Sequence, residues 1–143
     1  MNRNQIFGPV LVQVLLTLTV YILLSIAKAR AVKLGQVDMK RRALHEDAWP
    51  DEVRKINNNI RNQFELPILF YAVTFALWAL DAVGLAALVA AWLFAASRLV
   101  HAWVHIVPNY VPVRRRSFTF GWAMVVVLAV LATWDLLSPS NLL

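Results

Sequence analysis

The chain has 143 residues, of which 60% are hydrophobic and 15% are charged, and its formal net charge is +6. A soluble domain carries about 25% charged residues, so this composition predicts a protein that is solvated largely by lipid. The chain has no cysteine, which excludes disulfides, thiolate metal sites and a cysteine nucleophile. Any thiol chemistry must therefore use the thiol of a ligand. By length, residues 1–143 form one domain.

The first membrane span is predicted over residues 9–27, a Leu- and Val-rich stretch near the N-terminus. At roughly 1.5 Å per residue, such a helix is about long enough for a hydrocarbon layer of ~30 Å. One cation, Arg3, precedes the stretch, and no convincing small-residue cleavage site follows it. We therefore interpret it as a retained span and not as a signal peptide.

A polar segment, residues 28–61, separates the first span from the second and contains nine of the fourteen Lys and Arg residues. Its last part begins with Asp51 and Glu52, and no Gly or Pro follows until Pro67. Acidic residues favour the first turn of a helix. We therefore expect the second helix to begin outside the membrane and to continue without a break into the second span, residues 62–80.

Two further spans are predicted in the second half of the chain. Residues 85–107 form the third span, which ends before Pro108, and residues 117–136 form the fourth. Between them, residues 108–116 predict a short loop with three consecutive arginines. The chain is therefore expected to be all-α, a polytopic membrane four-helix bundle.

The distribution of charge predicts how the bundle is oriented. With four spans, the loops 28–61 and 108–116 lie on the same side and hold twelve of the fourteen cations, whereas the other side holds only Arg3. The positive-inside rule then places both loops in the cytoplasm and both termini on the opposite side. The orientation of the chain in the membrane and its contact with membrane lipids thus explain its positive net charge, and we expect no nucleic-acid partner.

A polar cluster lies where the second helix enters the membrane. Helical spacing places Asn58, Asn62 and Glu65 on one face, with Arg61 four residues before Glu65. A carboxylate at the edge of an apolar span needs a cation or several donors. Such a face can bind a small zwitterion, Arg61 taking its carboxylate and Glu65 its ammonium group. The alternative is an interfacial collar that pairs charges and caps the bundle.

The third span contains Arg98, His101 and His105 at helical spacing. An arginine inside a span faces protein or water, so these residues are candidates for an internal site. The alternative is an internal salt bridge from Arg98 to Glu65 or Asp81. No metal site is predicted, because this set lacks thiols and nearby carboxylates.

Three arginines precede Ser117, where the fourth helix is expected to begin. For Arg114 and Arg115, the simpler interpretation is an anchor on the cytoplasmic side. Arg116 directly precedes the expected helix start. Its guanidinium can therefore combine with the free N–H groups of the first turn to stabilise an anion.

Taken in order, these motifs resemble the MAPEG family (membrane-associated proteins in eicosanoid and glutathione metabolism). The resemblance extends over nearly the whole chain. On the second helix it rests on Arg61-Asn62 with Glu65 and Pro67, and on the third helix it rests on Arg98-x-x-His101. At the start of the fourth helix, Pro112-Val113 is followed by Arg116-Ser117-Phe118-Thr119-Phe120, which is similar to the family's Pro-x-Arg-Ser-x-Thr-Tyr.

The resemblance implies a homotrimer in which glutathione, a co-substrate, binds between neighbouring protomers near the cytoplasmic face. Arg116 would be the catalytic residue that stabilises the glutathione thiolate, with Arg115 as the alternative. Residues at matching positions would bind the rest of glutathione: Asn58, Arg61, Asn62, Glu65, Arg98, His105, Ser117 and Phe120.

The function implied by the resemblance is that of a membrane-associated glutathione transferase or peroxidase. Such an enzyme conjugates glutathione to a lipophilic electrophile from the bilayer, or reduces an electrophile or hydroperoxide with it. A cation that lowers the pKa of the glutathione thiol makes it a better nucleophile at neutral pH. The alternative is a non-catalytic protein of the same fold that binds and presents lipid. Phe120, which stands where relatives carry a tyrosine, favours that alternative.

Overall fold

The computed structural model describes residues 2–138, and these residues form helices and contain no strand. The prediction of an all-α four-helix bundle is confirmed, with the second helix of the bundle divided into two parts. The helices are Phe7–Lys33 (α1), Asp51–Gln63 (α2), Leu66–Ala79 (α3), Leu85–Ile106 (α4) and Val111–Leu137 (α5), with short 3-10 helices at Arg3–Ile6 and Glu46–Ala48.

Three helices of the described chain are long and apolar enough to cross a membrane: α1 with the 3-10 helix before it, α4 and α5. Their outward faces carry many exposed large apolar side chains, including Leu15, Ile22 and Val130. Exposed apolar stripes of this extent are typical of helices that face lipid. Helix α3 is also apolar, but its 14 residues give it a length of only about 21 Å.

The expectation of one continuous second helix is wrong. Helix α2 ends at Gln63 and α3 begins at Leu66, and Glu65 between them has a non-helical backbone with φ −96° and ψ −93°. The cause is Pro67, which lies in the first turn of α3. In a continuous helix its ring would clash with the carbonyl group of Gln63, four residues earlier.

The expected start of the last helix at Ser117 is also wrong, because α5 already begins at Val111. Pro112 lies in its first turn, where the missing N–H costs nothing and the fixed φ of proline suits a helix. The turn before it is made by Asn109, which has a positive φ of 48°. Arg114, Arg115 and Arg116 are therefore helical residues and do not lie in a loop.

The main apolar core joins α3, α4 and α5. At its centre Phe70 stacks on Phe94, with ring centroids 4.1 Å apart. Helices α4 and α5 approach closely at Gly121, where an added Cβ would lie 2.7 Å from the Ser97 hydroxyl oxygen. A second core packs α1 against α2 through residues such as Leu24 and Ile56.

Candidate functional site

A chain of buried amide side chains connects α1 to α2. Gln13 Nε2 donates to Gln63 Oε1 at 2.6 Å, and Gln63 Nε2 donates to Asn59 Oδ1 at 2.9 Å. All three residues are at most 1% exposed. Buried amides of this kind are stable only when they are hydrogen-bonded to one another, so this chain fixes α2 against α1.

The amide chain continues into the two histidines of α4. Asn59 Nδ2 lies 3.3 Å from His105 Nδ1, and Asn62 Nδ2 lies 3.2 Å from the same nitrogen and 3.4 Å from His101 Nε2. Because Asn59 Oδ1 already accepts from Gln63, its Nδ2 must be the donor to His105. Asn62 can serve both histidines since its amide nitrogen carries two hydrogens.

His101 carries this network on to the first turns of α5. Its Nδ1 donates to the carbonyl oxygen of Arg114 at 3.0 Å. A carbonyl group only accepts, so Nδ1 holds the ring proton and Nε2 is free to accept from Asn62. The Ser117 hydroxyl donates to the same carbonyl oxygen at 3.0 Å. The position of the arginine-bearing turns of α5 is thus tied to Asn62 through His101.

Arg98 is fully buried beneath this network, with 0% of its surface exposed. Its Nη2 donates to the backbone oxygen of Asn62 at 2.9 Å, and its guanidinium lies 5.8 Å from the centroid of the Phe118 ring. Its Nε and Nη1 have no hydrogen-bond acceptor among the described residues. No ion pair joins Arg98 to Glu65 among the described residues. A buried cation with free donors favours an anionic or acceptor group nearby.

A pocket of about 280 Å³ lies beside this network, between the break in the second helix and the start of α5. Its walls carry an amide, a carboxylate, an imidazole and two guanidinium groups. Within it, Arg114 Nη1 donates to Asn109 Oδ1 at 3.0 Å, which holds that side chain in place. Arg115 makes no comparable side-chain contact within the described chain. The lining residues are Asn62, Glu65, His101, Val111, Arg114, Arg115 and Phe118.

Arg116, the predicted catalytic residue, faces a different part of the surface. Together with Ser117 and Phe120 it lines an apolar groove of about 380 Å³ between α4 and α5, whose other walls include Leu93 and Val100. The predicted combination with first-turn N–H groups does not occur, because Arg116 is the sixth residue of α5. In this chain, the structure therefore separates Arg116 and Phe120 from Asn62 and Glu65.

Two other predicted site residues lie outside the pocket. Asn58 is an exposed residue of α2. Arg61 is also exposed and forms an ion pair with Glu46, in the loop before α2, and not with Glu65. The alternative interpretation of Arg98, an internal salt bridge to Glu65 or Asp81, does not hold among the described residues, and Asp81 pairs with Arg3 at 3.2 Å. Of the predicted set, Asn62 and Glu65 line the pocket. Arg98, His105 and Ser117 are connected to its walls by hydrogen bonds.

Several residues of this region do not belong to the glutathione-binding set expected from the sequence. His101 belongs to the motif of the third span but not to the residues expected to bind glutathione, although it joins Asn62 to α5. Gln13 interrupts an otherwise apolar span, and a buried amide inside a span is itself a signal of a polar partner. The Asn59–Gln63 pair, four residues apart on one helix, carried the same signal.

These features define an integral membrane protein, a helical bundle with a polar pocket near one end of its apolar helices. The chain belongs to the MAPEG family, which it matches over residues 6–134. No curated protein and no solved structure matches the chain. The family is one of glutathione and eicosanoid metabolism.

Proposed function

We propose that this protein is a glutathione-dependent membrane enzyme that acts on a lipophilic electrophile or hydroperoxide from the bilayer. The observation that carries the proposal is the pocket in which Asn62 and Glu65 face Arg114 and Arg115. Glutathione carries an ammonium group, two peptide groups and two carboxylates. A carboxylate and arginines on opposing walls match these charges in one ligand.

The homotrimer belongs to the same proposal. A pocket of about 280 Å³ is at the small end of ligand sites, which are typically about 300–1,000 Å³. Parts of a tripeptide would therefore extend beyond one protomer. A neighbouring copy would supply further contacts, and Asn58, Arg61 and Phe120 are exposed residues available to such a neighbour.

The arginine that stabilises the thiolate is one of the three consecutive residues of α5. Sequence register favours Arg116. The single protomer favours Arg115, because it lines the pocket that contains Glu65 and its guanidinium, unlike that of Arg114, is not hydrogen-bonded to Asn109. In either case a guanidinium near the thiol lowers the pKa of the thiol. A shift of one pKa unit corresponds to about 1.4 kcal/mol, which one partly dry cation can supply.

Thermal unfolding of the detergent-solubilised protein with and without glutathione tests the binding step. A ligand at ~100 times its dissociation constant adds about 2.7 kcal/mol of stability. Glu65→Gln should weaken the binding free energy of glutathione by roughly 1–3 kcal/mol, the cost of a lost charged hydrogen bond, and the stabilisation at the same glutathione concentration should fall accordingly. Glu52→Gln, an exposed substitution on α2 that removes the same charge, is the matched control. Equal responses of both variants and the parent would place the binding site elsewhere.

Ultraviolet titration of the bound thiolate, together with turnover of 1-chloro-2,4-dinitrobenzene, tests the catalytic step. Replacing the critical arginine by alanine should raise the thiol pKa and reduce turnover about tenfold or more, which corresponds to about 1.4 kcal/mol. Arg114→Ala, Arg115→Ala and Arg116→Ala are compared in parallel, with Arg54→Ala as a control for net charge. If the parent forms no thiolate and conjugates nothing, the lipid-presenting alternative replaces the enzyme.

A further inference from the structure

A second polar cavity, of about 230 Å³, lies between the last turns of α1 and the loop that leads to α2. It shares no lining residue with the pocket around Asn62 and Glu65. It is lined by Lys28 of α1, by the loop residues Arg42, Ala43, Leu44, His45, Glu46 and Trp49, and by Val53, Arg54 and Asn57 of α2.

The cavity carries a surplus of positive charge. Its lining includes three cations and one carboxylate, Glu46, and that carboxylate is already paired with Arg61. Arg54 pairs with Asp51 at 3.0 Å. No carboxylate of residues 2–138 lies within 4.0 Å of the charged nitrogens of Lys28 or Arg42, so these two cations are available to an anion.

Trp49 contacts the ammonium group of Lys28 and anchors the backbone of Arg42. Lys28 Nζ lies 5.2 Å from the centroid of the Trp49 ring, a cation–π distance, and Trp49 Nε1 donates to the backbone oxygen of Arg42 at 3.2 Å. A lysine positioned in this way, beside a loop whose backbone is anchored at Arg42, lowers the entropy cost of binding an anion.

The remaining charges of the loop serve to order it. Asp38 accepts hydrogen bonds from the backbone N–H of Lys40 and of Arg41. Arg41 in turn donates to Asp47 at 2.8 Å, and this hydrogen bond lowers the pKa of the Asp47 carboxyl below 3.8. Because Asp38 and Asp47 form these contacts within the loop, their carboxylates do not neutralise the cations of the cavity.

One large apolar side chain is exposed beside the cations, and another is exposed in the same loop. Leu44 lines the cavity and is 89% exposed, and Met39 in the same loop is 55% exposed. An apolar rim next to a basic cavity suits an amphiphile whose headgroup is anionic and whose tails lie in the bilayer. A free anion in water would gain nothing from such a rim.

We propose that this cavity binds the phosphate group of an anionic phospholipid in the leaflet that borders the basic loops. Lys28 and Arg42 contact the phosphate, and Leu44 contacts the lipid next to it. Basic pockets between membrane helices bind such headgroups through charge and hydrogen bonds together. The proposal does not depend on the glutathione site.

The test measures the thermal stability of the detergent-solubilised chain with added phosphatidic acid, phosphatidylcholine or inorganic phosphate. Phosphatidic acid should raise the melting temperature, and the other two should not. Arg42→Gln should weaken the apparent affinity for phosphatidic acid about tenfold, the effect of losing one charged hydrogen bond. It should leave the basal melting temperature unchanged, because the Arg42 side chain makes no hydrogen bond or ion pair within the described residues.

Arg30→Gln is the matched control, because Arg30 lies on the same α1 turns, is exposed and does not line the cavity. Lys28→Gln should reproduce the loss seen with Arg42→Gln. Equal losses in the control and in both cavity variants would mean that surface charge alone attracts the lipid, and the proposal would fail. Stabilisation by inorganic phosphate alone would identify a free anion as the ligand instead. Competition by glutathione would assign the cavity to the thiol-peptide site and would also overturn the proposal.

Discussion

Replacing Gln13 by leucine removes the first member of the buried amide chain inside α1. Gln63 Oε1 would lose the donor that now lies 2.6 Å away, in a side chain that is 1% exposed. Leaving a buried acceptor unpaired costs about 1–3 kcal/mol. The substitution also removes Gln13 Oε1, which has no donor among the described residues. That gain offsets part of the cost, so we expect a net loss of roughly 1–2 kcal/mol.

Equilibrium unfolding in mixed detergent micelles, followed through the fluorescence of the six tryptophans, measures this loss. Thr19→Val is the control on the same helix, because the Thr19 hydroxyl is exposed and bonds only to the carbonyl of Leu15. Such a surface substitution should change the free energy of unfolding by less than about 0.5 kcal/mol. Equal effects of the two variants would refute the assigned role of Gln13.

A double-mutant cycle that combines Gln13→Leu with Gln63→Leu measures the interaction free energy between these two amide side chains. If the two amides contact each other, the double variant should lose less stability than the sum of the single variants, by about 1 kcal/mol. Gln63→Leu alone should be the more damaging change, because it also removes the donor to Asn59. Additive losses, within about 0.3 kcal/mol, would show that the hydrogen bond contributes nothing to stability.

The remaining predictions concern packing, topology and assembly. Gly121→Ala should destabilise the protein by about 1–3 kcal/mol through overpacking. Adding Ser97→Ala should restore most of this stability, because after the Ser97 hydroxyl the nearest atoms to the new Cβ lie 3.7 Å away. A double variant that is no more stable than Gly121→Ala would exclude this clash. Single cysteines at Lys40 and at Ser140, which lies outside the described residues, should label from opposite membrane faces, and the cysteine-free parent provides the background. Native mass spectrometry in mild detergents should show trimers, and a series of monomers and dimers alone would contradict that assembly.

The fold was predictable from the sequence because long apolar segments have few stable alternatives to helices in lipid. The positions of helix ends were harder to predict. Pro67 and Pro112 were visible in the sequence, yet their consequences differ. One proline divides a helix, and the other starts a helix six residues earlier than the charge pattern suggested. The three consecutive arginines led to the prediction of a loop over residues 108–116, although proline is well tolerated in the first turn of a helix.

The candidate site was predictable only where its residues interact along one helix or share one motif. Arg98 and Asn62 were found in this way. The contact of Arg61 with Glu46, fifteen residues earlier in the chain, depends on how the loop folds back onto α2, and no helical spacing encodes it. The same holds for His101, whose role depends on a backbone carbonyl of another helix.

The side chain of Asn62 makes one wall of the pocket chemically different from the opposite wall. Both of its amide hydrogens are engaged by the two histidines, so Oδ1 is the group that it has left to offer a ligand. This wall therefore accepts hydrogen bonds and, with Glu65 beside it, is selective for N–H donors. The wall formed by Arg114 and Arg115 only donates. A ligand with an amine at one end and an acid at the other can fit this pocket in one orientation, and its reversal would place like groups face to face.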